Sequence, residues 1–475
     1  MTVVWSVKRK PIRMILNFNS KKGFVMKHFK LSAIVVALGL SACGQVYAVE
    51  AANFSDWFSN GDVSGDARLY DFGRDYAGAQ PAFLRDMNTV SFGGKVKFET
   101  ATWDGFSAAA ALYGAYDIGM NNYSPGNDPT GDNLPHLNPL LMGTNRTQTS
   151  LGEAWLQYQN PDFMLRAGNE LINNPWNNPS DGFMIPNLFE GVSNQMNLGS
   201  SGAQLSIDRI FQYKDRSNAA FDETSLAVLP YDKLVTLAES GGATDAGLTY
   251  KDQTVSAAAW LYQWDNLAQM TYLEGGYHPA FAGRTWFVDN QYVNETGLGS
   301  EDAGPINAQV YGLKLGMNLA QHLGNVFVAY NNVPGNGAIT TPGINPATGA
   351  STTNKVYNGN LYSPYTQIYN TDPLYTTVMN YGLVSARAPG SAWMLGAHLH
   401  PLSNLDIIPT VSEYYTDQTP GIPVANVRAY MLDVAWHFTG KLKGLSLRDR
   451  LGVEHDVPLL GSAYVDNRMM MQYNF

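Results

Sequence analysis

The chain ends in Val465-Asp466-Asn467-Arg468-Met469-Met470-Met471-Gln472-Tyr473-Asn474-Phe475. In an extended strand, successive side chains turn to opposite faces. Met469, Met471, Tyr473 and Phe475 therefore share one face, and Asp466, Arg468, Met470, Gln472 and Asn474 share the other. One side is apolar and the other largely polar. Such a strand suits the edge of a soluble sheet. It also suits the wall of a barrel whose outside meets lipid and whose inside meets a water-filled lumen.

Composition favours the barrel. Hydrophobic residues make up 45% of the 475, yet mean hydropathy is −0.20. Beyond the N-terminal region there is no apolar run long enough for a spanning helix. A barrel wall behaves in this way because lipid-facing residues alternate with polar ones. The 27 Tyr, 20 Phe and 10 Trp can supply interfacial girdles, and the 46 Gly suit tight turns. Length alone allows two or three soluble domains, but no composition break and no internal repeat separates them.

The N-terminus reads as a targeting segment. Lys27 and Lys30 precede the apolar stretch 31–40, and Val46-Tyr47-Ala48 is a small-residue cleavage motif. Residues 26–48 form a compact signal peptide for Sec-dependent export, and residues 1–25 an upstream extension. The barrel domain is then 49–475. Leu40-Ser41-Ala42-Cys43 also matches a lipoprotein motif, which would put lipid on the single Cys; cleavage after Ala48 is the preferred reading. Neither reading leaves a disulfide framework. Residues 1–48 hold eight of the 30 Lys and Arg and none of the 40 Asp and Glu, so the remainder carries 22 against 40, a net charge of about −18. Nucleic acid is excluded as a partner on that balance.

Period-two alternation returns along the chain. In 91–100, Phe92, Val96 and Phe98 oppose Lys95, Lys97 and Glu99. In 163–168, Phe163, Leu165 and Ala167 oppose Arg166. In 445–454, Leu445, Leu447, Leu451 and Val453 oppose Arg448, Arg450 and Glu454, with Asp449 interrupting the apolar face. Further strands read at 62–71, 106–116, 151–158, 255–264, 307–317, 393–400, 405–414 and 427–438. Short turns (103–105, 160–162, 199–202, 440–444) alternate with long connections (117–146, 169–189, 215–244, 332–390), as periplasmic turns alternate with extracellular loops. With both termini on one side, the strand number is even. Placing Tyr381–Arg387 inside the last long loop preserves that parity and predicts an all-β, closed antiparallel barrel of 18 strands, wide enough for an aqueous channel.

Four passages, in order along the chain, resemble the OprD family of outer-membrane porins. They are Leu151-Gly-Glu-Ala-Trp-Leu156 continuing to Leu165-Arg-Ala-Gly168, Asp181-Gly-Phe-Met-Ile-Pro-Asn-Leu-Phe-Glu-Gly191, Phe211-Gln-Tyr-Lys-Asp-Arg216, and Gly440-Lys-Leu-Lys-Gly-Leu-Ser-Leu-Arg448 with the closing strand. Residues 332–390 carry no such resemblance. It implies a substrate-selective diffusion channel in the outer membrane of a Gram-negative bacterium, narrowed by inward loops. Its solutes would be small carboxylate-bearing nutrients such as amino acids, or chitooligosaccharides in some members. A general-diffusion pore is a further alternative. Outer-membrane lipid and lipopolysaccharide would surround the barrel. The terminal Tyr473 and Phe475 resemble the signal read by the barrel-assembly machinery. Monomer and trimer both stay open.

In carboxylate channels of this family, basic wall residues lead the anion through the constriction. The low-dielectric wall focuses their field, and the Arg fork matches a carboxylate. By alternation Arg68, Lys95, Lys97, Arg166, Arg448, Arg450 and Arg468 are lumen candidates here, with Arg209, Lys214 and Arg216 at the strand before a long loop. The competing reading pairs each with a wall acid such as Glu99, Glu153, Glu454 or Asp466. Loop 169–189 supplies the constriction candidates Trp176, Asp181, Phe183 and Phe189. The family often has Arg where Phe183 stands, and Arg and Gln where Asn169 and Glu170 stand, which weakens the case for strict carboxylate selectivity. The aromatics could instead stack on sugars, or simply pack the loop against the wall.

Other patterns are weak. The sequons at Asn122 and Asn145 are coincidental in a bacterial protein. His398 and His400 share a face, but with no third ligand evident they read as wall histidines. There is no nucleophile–base pair, so the expectation is a channel without enzymatic activity, cofactor or metal. About a dozen residues lie between Ala48 and Asp62, too few for the plug of an energy-coupled receptor.

Overall fold

The computed structural model describes residues 50–77, 86–120, 141, 146–218, 220–223, 241–302, 306–320, 323–335, 338–344, 351–357, 361–386, 388–417, 424–458, 460 and 462–475. The signal segment, Cys43, the sequon asparagines Asn122 and Asn145, and Arg387 lie outside them. No described helix is long and apolar enough to cross a membrane. The strands are another matter.

Eighteen strands form the wall. They begin with β1 (Asp62–Ala77), β2 (Met87–Glu99), β3 (Phe106–Asp117), β4 (Thr147–Gln159), β5 (Phe163–Glu170) and β6 (Leu188–Asn197). Next come β7 (Ala203–Lys214), β8 (Ala243–Lys251), β9 (Val255–Trp264), β10 (Ala268–Tyr277), β11 (Arg284–Gly297) and β12 (Asn307–Asn318). The last six are β13 (Gly324–Val333), β14 (Gly390–Leu402), β15 (Leu405–Thr416), β16 (Ala425–His437), β17 (Leu445–His455) and β18 (Ala463–Asn474). Each is antiparallel to its neighbours, and β18 pairs with β1 to close the barrel. At that seam Phe475 N–H donates to Gly65 O at 3.1 Å and Gly65 N–H donates to Phe475 O at 3.0 Å.

The terminal strand obeys its alternation. Asp466 and Arg468 are buried inside, while Tyr473 and Phe475 stack on the outer face with centroids 6.4 Å apart. The Phe475 ring covers Gly65, where an added Cβ would lie 2.8 Å from Cζ. Asp449 does face outward, and Asn467 on β18 donates to it at 2.8 Å. A neighbouring amide is what makes a carboxylate tolerable there.

Register shifts occur at three places in the wall, one of them between Leu399 and Leu402 on β14. Ala111 pairs with Glu153 and Leu112 with Leu151, leaving Gly152 as the extra residue. A Cβ on Gly152 would come within 2.5 Å of Tyr113, so glycine is required at this close approach. Glu190 pairs with Gln212 and Gly191 with Ile210, which leaves Phe211 extra.

Short helix α1 (Phe54–Ser59) precedes the wall, capped by Asn53 Oδ1, which accepts from Ser55 N and Asp56 N. Its Phe54, Trp57 and Phe58 cluster with Trp103 of the first short turn, an aromatic anchor at that end of the barrel. At the other end, residues 332–390 hold a separate hairpin of Ala338–Ile344 and Ser351–Tyr357 and the short helix α2 (Leu383–Ala386). Tyr381 lies in this connection and not in the wall, as parity required.

Candidate functional site

Two connections fold into the lumen, residues 171–187 and 361–386. The first is braced on one inner arc by wall acids. Asn174 Nδ2 donates to Asp208 at 3.3 Å and Asp245 at 3.1 Å, and Asn177 Nδ2 donates to Asp245 at 2.6 Å. The second is held by Glu295, which accepts from Tyr362 N at 2.8 Å, and by Asn331, which accepts from Thr376 N at 3.0 Å. The connections also meet each other: Asn178 Nδ2 donates to Thr371 O at 2.9 Å and Asn187 Nδ2 to Tyr365 O at 3.2 Å.

The tip of the first loop is nested among arginines. Arg68 on β1 grips Asp181 through both terminal nitrogens, at 2.6 and 2.9 Å, and also donates to Phe183 O at 2.7 Å. Its Nε lies 2.8 Å from Asp66. Arg216 donates to Ser180 O at 2.8 Å, and Arg450 donates to Gly182 O at 2.8 Å. The Phe183 ring lies between two guanidinium groups, with Arg216 Cζ 4.1 Å and Arg468 Cζ 4.8 Å from its centroid. The departure from the family pattern at Phe183 thus gives the arginines an aromatic platform to rest on.

A second basic group sits nearer the short turns. The bulge at Gly152 turns Glu153 inward, 3.7 Å from Lys95 and 3.8 Å from Lys97. Trp155 lies between Lys97, at 4.9 Å, and Arg166, at 4.2 Å. Arg166 also donates through Nε to Gln157 at 2.9 Å. Between β17 and β16, Arg448 Nε donates to Asp433 at 2.8 Å.

All seven arginines and lysines assigned to the lumen by alternation face it. Their pairing is mixed. Arg68, Lys95, Lys97, Arg166, Arg448 and Arg468 each have a carboxylate within 4.0 Å, whereas among the described residues none lies that near Arg450 or Arg216. Two assignments are corrected. Arg209 belongs to the outer face with exposed Ile207 and Phe211, and pairs with Asp265 at 2.8 Å; the bulge at Phe211 breaks the phase between it and Arg216. Lys214 is fully buried, its Nζ 3.4 Å from Asp215 O, and so, unlike Lys95 and Lys97, is closed off from water. Trp176, Phe183 and Phe189 are also fully buried: Trp176 packs edge-on to Tyr272 and Phe189 against Tyr213 and Tyr365. They pack the loop and do not present a free stacking face. Of the four loop candidates only Asp181 is substantially open, at 41% side-chain exposure.

Two inward cations were missed. Arg74 lies 3.0 Å from Asp466, on turns of β1 beyond the stretch read as strand. Lys314 on β12 rests over Phe327 at 4.6 Å; its place opposite Leu313 and Leu315 was a signal available in the sequence. In the second loop, Asp372 is buried and accepts from Thr377 Oγ1 at 2.7 Å. Burial pushes its carboxyl up to about 6 despite that bond.

This architecture has known counterparts. The chain resembles OccK9 (OpdG) of Pseudomonas aeruginosa with a TM-score of 0.68 at 14% identity, covering 88% of this chain and 99% of that one. It resembles OccK2 (OpdF) of the same organism, solved in complex with glucuronate, with a TM-score of 0.67 at 13% identity over 88% and 99%. P. aeruginosa OpdK with vanillate gives 0.64 at 14% identity, again over 88% and 99%. The fold is that of the OprD-family porins. No protein-family model and no curated protein matches the sequence.

Proposed function

We propose that this chain is an outer-membrane porin for passive, selective diffusion of small hydrophilic solutes that bear a carboxylate. The observation that carries the reading is Arg450. It projects from the wall to the loop tip, and its guanidinium is bound there by the Gly182 carbonyl and has no carboxylate partner among the described residues. A passing carboxylate can displace a carbonyl more readily than it can displace a carboxylate, so Arg450 offers binding that is favourable and still reversible. Glucuronate and vanillate, held by two of the similar structures, are carboxylates. The burial of Trp176, Phe183 and Phe189 removes the stacking surface that an oligosaccharide channel would use. The export signal, the periplasmic side of the short turns and the lipid contact of the outer face follow from the same reading.

The test combines planar-bilayer reversal potentials with liposome swelling in small carboxylates and size-matched neutral sugars. Wild type is expected to admit the carboxylates faster. Arg450→Gln should shift the reversal potential toward cations and slow the carboxylates, with smaller changes for Arg448→Gln, whose charge Asp433 already matches. The shifts should shrink at high salt, where screening acts within about 10 Å at 0.1 M and less above it. Equal carboxylate and sugar rates, unaltered by Arg450→Gln, would leave a general-diffusion pore.

A further inference from the structure

Three histidines from two strands gather around one aspartate on the strand between them, inside the short-turn end of the barrel. His398 and His400 stand on the inward face of β14, Asp406 on that of β15, and His437 closes β16. His400 Nδ1 lies 2.5 Å and His398 Nε2 3.8 Å from Asp406 Oδ1, and His437 Nε2 lies 3.2 Å from Asp406 Oδ2. The donor atoms of His398, His400 and Asp406 all fall within 4.8 Å of one another.

Ordinary wall packing does not call for this arrangement. A single carboxylate serves three imidazoles, and the other acid beside them, Asp433, is already taken by Arg448 at 2.8 Å. The His398 and His400 rings lie 4.3 Å apart, so their nitrogens converge and do not spread toward separate partners. Zinc binds imidazole nitrogen and carboxylate oxygen at about 2.0–2.2 Å, which places tetrahedral donors roughly 3.3 Å from each other. The two distances at Asp406 Oδ1 bracket that spacing. The cluster borders a pocket of about 530 Å³, so water or a solute can take a fourth position.

We propose that His398, His400 and Asp406 form a binding site for a divalent transition-metal ion of the zinc class, with His437 holding the far carboxylate oxygen and so fixing its orientation. Imidazole ligands select such an ion over magnesium or calcium, which prefer oxygen donors. The site lies beside Arg448 at the exit of the basic wall. A bound dication there adds positive charge to the mouth and offers an open coordination position to a departing anion. The conductance of the channel thereby depends on the metal from the short-turn side only.

The test uses the tag-free, chelator-stripped barrel in detergent, titrated calorimetrically with Zn²⁺ alone. Saturable binding of one ion per chain is expected, lost in His398→Ala/His400→Ala and weakened roughly 10–100-fold by His437→Gln, while Mg²⁺ gives no heat of binding. In bilayers, Zn²⁺ added at the short-turn side should change the wild-type current and leave that of the double variant unchanged. The side chains concerned are part-exposed in the lumen, so heat-modifiable mobility checks that the variants keep the barrel. Absence of saturable Zn²⁺ binding, or binding that survives the double substitution, overturns the proposal. Neither readout depends on which solute the channel carries.

Discussion

Replacing Phe183 by Leu keeps an apolar side chain at the loop tip but removes the π face on which Arg216 and Arg468 rest, at 4.1 and 4.8 Å. A desolvated cation–π contact contributes about 2 kcal/mol and an exposed one less than about 1. Both guanidinium groups are buried, which would give about 4 kcal/mol for the pair. Arg216 also has the Tyr369 ring and Arg468 the Phe72 ring, so the share of Phe183 is about 3 kcal/mol, of which the Leu methyls recover a part by contact with the flat guanidinium faces. A net loss of about 2 kcal/mol follows. Since about 1.4 kcal/mol is a tenfold change in an equilibrium, release of the tip from the wall should become roughly 30-fold more frequent. The fork from Arg68 to Asp181 and the bond from Arg450 to Gly182 O still favour the docked state. Single-channel recording should therefore show brief visits to a wider level, rare in wild type and common in Phe183→Leu. Phe183→Ala adds a cavity term, about 3–5 kcal/mol in total for a buried Phe, and should be wider for most of the time. Phe106→Leu, on the outer face, is the control. If both Phe183 variants keep wild-type conductance and gating, the ring is not what holds the tip, and the role given to it here is wrong.

Three further outcomes are expected. Deleting Phe475 uncovers Gly65 and removes the last bond pair of the seam, so the yield of heat-modifiable barrel should fall; a normal yield would count against the assembly role. Between about pH 3.8 and 6 the buried Asp372 binds more protons in the folded loop than in a released one, so its contribution to docking is full at low pH and is lost as pH rises through about 6. Gating should become more frequent over that window in wild type and show a flatter profile in Asp372→Asn. Arg209→Gln, an outer-face change, should leave reversal potential and carboxylate flux unaltered; a clear shift in either would return Arg209 to the lumen.

The parts of the fold that could be read from the sequence are those governed by one local rule. Met469, Met471, Tyr473 and Phe475 share a face because lipid lies outside and water inside along the whole strand, and the same rule correctly turns Lys95, Arg166 and Arg450 inward. It fails where the backbone inserts a residue. The bulge at Phe211 separates the phase of Arg209 from that of Arg216, and no residue type marks it beforehand. Residues 361–386 looked like loop because what fixes them is distant: Gln291 donates to Pro373 O at 2.6 Å, and Glu295 receives Tyr362 N. Asp406 and His437 were invisible beside His398 for a related reason. Ligands on neighbouring strands are set by register, which a single strand does not reveal.

The distribution of charge bears on how residues 49–475, with 22 Lys and Arg against 40 Asp and Glu, can still carry unpaired inward arginines. The wall acids on one arc, Asp208, Asp245, Glu274 and Glu295, accept bonds from the inward loops: from Asn174, Asn177, the Tyr375 hydroxyl and the Tyr362 amide. The loops are therefore anchored on that arc through their donors. The tip of the first loop turns acceptors, the carbonyls of Gly182 and Phe183, toward Arg450 of β17 and Arg68 of β1, and the carbonyl of Ser180 toward Arg216, just after β7. Lys314, a further cation beside the acidic arc, rests on aromatic rings. Acids that hold scaffolding are spent on it and do not face the solute, whereas arginines held by carbonyls keep most of their field. On the proposed reading, a carboxylate entering the gap would compete with neutral oxygens for Arg216 and Arg450, whereas Arg68 is already held by Asp66 and Asp181. On arrival a charge-assisted bond would replace a carbonyl bond, and on departure the carbonyl bond would re-form, which keeps the proposed binding reversible.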